Sequence, residues 1–558
     1  MTTKSQQMTS KPFYRRCRYW AIAIVLVLIY FSLIPSRLRV SPETTLITSP
    51  LKSDGTPDYF RAWSEKTWLP KLSPPEDNGQ RLMIAACGPR ILEQVYIAKT
   101  VPWEEMPTHE YSKQWFAEYW TPLCEAMGID PLAKPPYLDC ISVTTRVFDK
   151  KKALEDESEA KEWDCKIFEE RFMKTVWKTA DHPEVAGWLA DYKPVLDLFG
   201  VAVRKPNFEA WRKTAGSMID ILLPDVQASR EFIRCLDVRV SARIGDGDID
   251  GALYDVMSMY RLARHYHYND IFVTKLVGCA AEGIANESLL RIIKSGKATK
   301  EQLVQFYTEL KTLPSNWDVR SVQTLCESWF YIDTVIQINA WGKDCWRNLT
   351  SNGYDDLGLV EKNPSSLTRL VFERILFSLP FDANIAGQRI LENRKRVPLF
   401  LTDWQSSPFL WLKFAKESDE QLKSNDYFQV GASHFLTLPL IRTRSEYISD
   451  LIENRLSPAL HSFVIAIVRN GMQTELMQLA IQLECYKFDT GKYPDSLDKL
   501  VPDYIDEVPL DHFTGRKTLT YKLAPEDGTE YILYSFGTNG IDDNGLDDPD
   551  KSDIVIRR

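Results

Sequence analysis

Several familiar signatures are missing from these 558 residues: there is no C-x-x-C pair, no H-E-x-x-H, no G-x-S-x-G, no Walker loop and no Rossmann glycine fingerprint. Zinc ribbons, thioredoxin-like redox sites, zincins, nucleophile-elbow hydrolases and phosphate-cradling loops therefore have no motif to rest on. A catalytic site assembled from distant residues would leave no such trace. Positive charge is also scarce: Lys and Arg number 68 against 77 Asp and Glu, net charge is −9, and no basic stretch lies beyond the N-terminal twenty residues. That balance argues against a nucleic-acid partner. Long apolar runs are absent after residue 40. The stretch from Leu367 to Ala386 carries Arg369, Glu373, Arg374 and Asp382, and His461 to Val468 is too short to cross a bilayer.

What is present divides the chain. Residues 1–18 form a basic tail, with Lys4, Lys11, Arg15, Arg16 and Arg18 ahead of an uncharged segment, 19–36. Its eighteen residues would span roughly 27 Å as a helix, close to the hydrocarbon thickness of a membrane. Tyr19, Trp20 and Tyr30 supply interfacial aromatics, and Leu33-Ile-Pro-Ser-Arg37 offers no small-x-small cleavage site. The reading is a single uncleaved transmembrane helix in the inner (cytoplasmic) membrane, N-terminus cytoplasmic and the bulk exported. Residues 37–57, rich in Ser, Thr and Pro, read as a linker.

Residues 58–470 are expected to form a large all-helical region, broken at Ser73-Pro-Pro-Glu-Asp77, Lys134-Pro-Pro136, Leu313-Pro-Ser315 and Asn363-Pro-Ser365. The pattern is clearest where Leu253, Val256, Met257, Tyr260, Leu262 and Ala263 mark one helix face and Phe272, Leu276, Ala280, Ile284 and Leu289 the next. Between them, Gly245-Asp-Gly-Asp-Ile-Asp250-Gly resembles a tetratricopeptide hairpin turn, although no period of roughly 34 residues recurs. The same residues match half of an EF-hand loop, but Met257 stands where the bidentate Glu is needed, so an Asp-capped helix start is expected. His265 and His267, two apart on a helix, point away from each other and read as a surface or half-buried pair. The sixteen tryptophans read mainly as core, and the ten scattered cysteines mainly as buried thiols.

Residues 471–558 change character. Met472, Leu476, Leu479, Leu483 and Tyr486 step at helical spacing, Gly491 and Pro494 end that helix, and Asp495 or Ser496 caps a short one. Thr518–Leu523 and Tyr531–Phe536 alternate as a hairpin, and Ile554–Ile556 offers a third strand. The fold class is thus mainly α, with a small C-terminal α+β domain.

In sequence order, Tyr486-x-x-Asp489-x-Gly491-x-Tyr493-Pro494, Leu500-Val-Pro502, Val508-Pro-Leu-Asp511, Tyr531 to Gly540 and Asp553-Ile554 resemble the globular domain of the type II secretion major pseudopilin. The resemblance covers about a sixth of the chain, residues 470–558. It implies one calcium ion in the closing loop, held by the Phe536 carbonyl and by Asn539, Ser552 and Asp553, with Asp542, Asp543 and Asp547 close by in sequence. Asn539 and Ser552 stand where that family usually has Asp. The transmembrane segment lacks the pseudopilin processing site, and residues 37–470 separate it from the domain, which implies a borrowed module rather than a fibre subunit. The function expected is that of a membrane-anchored envelope protein with a non-enzymatic structural or protein-interaction role, possible partners being other envelope proteins, secretion components among them. The alternative is an envelope hydrolase acting on glycan or peptide, with its site in the aromatic-rich helical region.

Overall fold

The computed structural model describes residues 20–22, 24, 35–67, 74–88, 103–110, 112–137, 168–212, 214, 218, 221, 223–267, 271–314, 327–341, 380–395, 440–456, 458–515, 517–523, 531–546 and 553–558. Its longer helices are α1 (Tyr59–Thr67), α2 (Gly79–Cys87), α3 (Pro183–Ala202), α4 (Pro224–Asp246), α5 (Ile249–His267), α6 (Phe272–Ser295), α7 (Lys300–Thr312), α8 (Glu327–Trp341), α9 (Ala383–Lys395), α10 (Ile441–Leu456) and α11 (Pro458–Thr490). An antiparallel sheet follows, in the order β1 (Thr520–Leu523), β2 (Tyr531–Ser535), β3 (Ile554–Arg557). The protein is mainly helical with a small C-terminal sheet.

Local chemistry sets the boundaries. Gly247, at φ +87°, closes α4 in the left-handed region, and the Asp248 carboxylate accepts the Gly251 N–H at 3.0 Å to start α5. Gly245 is required by close approach, because a Cβ there would sit 1.8 Å from the Trp177 carbonyl oxygen. Thr299 and Gln302 exchange hydrogen bonds in a capping box at the start of α7. Asp246 accepts from Thr179, Asp248 caps α5 and Asp250 accepts from Gln302, so the EF-hand-like carboxylates diverge, and Met257 is core.

Two apolar cores organise the helices. One gathers Tyr59, Trp63, Trp329, Ile332, Val335, Ala386, Ile390, Ile448 and Ile452 from α1, α8, α9 and α10. The larger runs from Met83 and Ile84 in α2 through α3 to α7 and α11, and on to Tyr531, Leu533, Ile554 and Ile556 of the sheet. Of the tryptophans, Trp63, Trp103, Trp120, Trp177, Trp188 and Trp329 are buried, as are Cys87, Cys124, Cys235, Cys279 and Cys485, all free thiols. In β2, Tyr531 and Leu533 face the larger core, whereas Ile532 and Tyr534 pack with Phe536 and Val555 on the other side.

The helix expected to open the C-terminal domain at 471 begins instead at Pro458. A single glycine costs about 1 kcal/mol within a helix, too little to end one whose flanks are buried. Gly471 therefore sits inside α11, and Ile467, Val468, Met472, Leu476 and Leu483 all join the same core. Most of the expected membrane segment lies outside the described residues. Trp20, Ala21, Ile22 and Ile24 within it are helical and exposed, and among the described residues no helix is long and apolar enough to cross a membrane.

Because the sheet and the helical body share α11, a fragment limited to 471–558 is expected to lack a cooperative thermal transition and a near-ultraviolet circular dichroism signal. Native-like signals from that fragment would show that the sheet needs nothing from the helical body.

Candidate functional sites: an acidic loop and a buried polar seam

The acidic loop closes the C-terminal sheet. Gly540, Asn544 and Gly545 have φ of +66°, +64° and +67°, folding residues 539–545 back over β2. The Asn539 amide donates to Asp543 at 3.1 Å, and its oxygen accepts the Ile541 N–H at 2.8 Å. Asp542 accepts from the Tyr534 hydroxyl at 3.0 Å and from the Asn544 N–H at 2.8 Å. Phe536 is buried, its N–H held by Asp511 at 2.8 Å.

Asp553 is the unusual member. It is 8% exposed, and its Oδ2 accepts the Gly545 N–H at 2.8 Å. Its Oδ1 is buried with no hydrogen-bond partner among the described residues. Burial pushes the Asp553 carboxyl above its ordinary value, opposed by N–H groups of Gly545 and Asp543 and reinforced by the negative charges of Asp543 and Asp542. Lys522, whose ammonium stands 5.1 Å from the Tyr534 ring centre, feels both Asp542 and Asp553, and Arg557 bonds the Gly545 carbonyl.

Of the residues expected to bind calcium, Asn539, Asp542, Asp543 and Asp553 thus lie in one loop region beside Phe536, whereas Asp547 and Ser552 are outside the described residues. Among the described residues, no group of three or more His, Cys, Asp or Glu side chains is placed to hold a metal ion. The orphaned Asp553 oxygen fits a cation. One oxygen each of Asn539, Asp542 and Asp543 already has a donor.

The second cluster escaped the sequence. Glu282, fully buried in α6, accepts two bonds from Arg264 of α5 at 2.9 and 2.7 Å and one from His267 at 2.9 Å. Asn470 and Thr474 of α11 complete its shell at 2.6 and 2.8 Å. Tyr260 donates to Asn286 at 2.5 Å, and Asn286 donates on to Thr474 at 3.3 Å. Lys275, also buried, donates to the His267 carbonyl. Polar residues at helical spacing build this seam: Tyr260, Arg264 and His267 on α5; Lys275, Cys279, Glu282 and Asn286 on α6; Asn470 and Thr474 on α11. That spacing was the available signal, hidden inside strongly apolar helices.

His267 is therefore 1% exposed, not part of a surface or half-buried pair. Positions two apart on one helix face opposite ways, so His265 remains half-buried at the α3 end while His267 enters the α5–α6 interface. Burial, with Arg264 and Lys275 nearby, lowers the His267 value; the ring is neutral and its Nε2–H donates to Glu282. Burial alone would raise Glu282, but Arg264 overrides it and holds the carboxyl down at about 2. With every oxygen engaged and no solvent access, this cluster is built to join helices rather than to transfer protons to a substrate.

No known protein family, curated protein or solved structure matches the chain.

Both depressed values give stability that is present at neutral pH and lost on acidification. The His267 contribution declines as pH falls below 6.5, and the Glu282 contribution as pH falls from its ordinary 4.5 toward about 2. His267→Gln is expected to remove the upper component of the pH dependence of the melting temperature. Glu282→Gln, which leaves Arg264 without its counter-charge, is expected to cost about 3 kcal/mol at pH 7 by denaturant unfolding. A loss below about 1 kcal/mol would show that the seam contributes little.

Proposed function

We propose that the chain is a membrane-anchored envelope protein whose helical body displays a pseudopilin-like C-terminal module for contact with other envelope proteins, secretion components among them, in a structural rather than an enzymatic role. The observation that carries this reading is the continuity of α11. Its N-terminal half lies in the helical core and its C-terminal half lies under the sheet. Arg558 reinforces the union, bonding to Glu484 of α11 at 2.8 Å and to the Lys294 carbonyl at 3.2 Å, and Lys300 pairs with Asp489. The module is thus carried as a fixed part of the body, as display requires, rather than on a swinging linker.

The order of elements supports the resemblance: a long helix, a turn at Gly491, a 3₁₀ turn at Leu497–Leu500, an antiparallel hairpin, an acidic loop and a last strand. Calcium belongs to the same reading. Asp553 would contribute its unpartnered oxygen, and Asn539, Asp542, Asp543, Asp547, Ser552 and the Phe536 carbonyl are the remaining candidate ligands. The ion would neutralise carboxylates that now rely on Lys522 and backbone N–H groups. The anchor at 19–36, with an exported body, rests on the sequence.

Two outcomes follow from this reading. Calcium is expected to raise the melting temperature of the full chain over that in chelator, and Asp553→Asn is expected to abolish the rise without lowering the calcium-free melting temperature, because ionised Asp553 is itself unfavourable. A calcium response that survives Asp553→Asn would remove the site. A photoreactive residue at Ile541, 62% exposed on the loop, is expected to yield discrete adducts with envelope proteins in intact cells. Adducts seen only with soluble cytoplasmic proteins would overturn the proposed role and location together.

A further inference from the structure

A groove of about 420 Å³ opens where the end of α3, the 203–209 loop, the C-terminal half of α5 and the end of α7 meet. Its walls carry the cations Arg204, Lys205, Arg261 and Arg264 beside His265, with Glu209 as the single carboxylate among the described lining residues. The protein as a whole has a net charge of −9, so this concentration of cations runs against the average of the chain.

Two of these cations are ion-paired and two are not. Arg261 is joined to Glu309 at 2.9 Å, and Arg264 belongs to Glu282. Arg204 forms no salt bridge among the described residues. It lies 3.7 Å from the Tyr254 ring centre and donates to the Gly200 carbonyl and the Ser258 hydroxyl, both at 2.8 Å. These contacts, with a longer bond to the Tyr254 carbonyl at 3.4 Å, fix its guanidinium outside any salt bridge; burial and the charge of Arg261 make that cation harder to hold, and the charges of Glu309 and Asp255 offset this only in part. Lys205 has no partner among the described residues. His265 donates its Nε2–H to the Val203 carbonyl at 3.0 Å, lies nearly parallel to Phe208, and is kept neutral by burial and by Arg261.

The loop that forms one wall is preorganised. Gly79 N–H donates to the Asn207 carbonyl and Asn207 N–H to the Asp77 carbonyl, at 2.8 and 3.1 Å. The Asn78 side chain bridges to both the N–H and the carbonyl of Glu209, at 3.2 and 2.9 Å. A fixed cradle, an immobilised arginine and a lysine that form no salt bridge among the described residues, and an aromatic floor at Phe208 are the components of a small-anion site.

We propose that this groove binds a small organic anion bearing a phosphate or carboxylate group, held by Arg204 and Lys205 with Arg261 at its edge. The site is independent of the C-terminal module. A ligand there would lie over the α5 segment that also carries Arg264, so binding would stabilise the seam as well as neutralise the groove.

The test is isothermal titration of the full chain in detergent with inorganic phosphate and, separately, with succinate, each at an ionic strength matched by potassium chloride. The expected result is saturable binding of at least one probe, weakened about tenfold or more in Lys205→Glu and unchanged in Lys499→Glu, an exposed lysine on the C-terminal module. Preference for phosphate would identify phosphoryl ligands, and preference for succinate would identify carboxylates. The melting temperatures of the two variants without ligand serve as the folding control. Absence of saturable binding by either probe, or binding that Lys205→Glu leaves intact, would overturn the proposal.

Discussion

The carboxylate of Glu282 is the constraint on which the larger core depends. Removing an ionised side chain from water costs several kcal/mol unless charge and hydrogen bonds replace the lost solvation. Here the replacements reach α6 from two other helices at once: a two-pronged arginine and a neutral histidine from α5, and an amide and a hydroxyl from α11. Apolar packing alone would tolerate a sliding or rotated arrangement of these helices. A buried anion with fixed donors does not, because a shift of one helical position would strand it.

That registration extends to the sheet. α11 is the third wall of the seam and also the floor beneath Tyr531, Leu533, Ile554 and Ile556, so the position of β2 and β3 is tied to that of Glu282 through one rigid helix. The acidic loop is fixed in turn, since Asp542 is bonded to Tyr534 and Asp553 precedes β3 directly. The same α5 residue, Arg264, lies in both the seam and the basic groove, which places the electropositive site, the polar core and the C-terminal module along one connected set of helices.

Much of this architecture was legible because periodicity reports burial. The alternation of Tyr531 to Phe536 and the stepping of Met472, Leu476, Leu479 and Leu483 identified a strand and a buried helix face, and the Asp248 cap was readable from local chemistry. The start of α11 was not legible: the domain limit expected at 471 falls inside the helix, and tertiary packing of Ile467 and Val468 carries the helix through it. His267 was misplaced for a related reason. Its burial depends on a carboxylate fifteen positions away on another helix, and the helical spacing of polar residues within α5 does not by itself say which partner they meet. The acidic loop was conspicuous as composition, yet the informative feature, one unpartnered oxygen on Asp553, belongs to geometry alone. The groove cations were equally invisible as a group, since Arg204 and Lys205 are separated from Arg261 and Arg264 by a helix and its turns.

The central claim is that the seam and the C-terminal sheet form one cooperative unit. Native-state hydrogen exchange on the full chain, comparing the wild type with Glu282→Gln, tests it most directly. If the claim is right, the slowest amides of β2 lose protection by the same free energy as those of α5 and α6, because all open through the same global transition. If the amides of β2 keep their protection while those of α5 and α6 lose it, the sheet is an independent domain and the account of a module locked to its helical body is wrong.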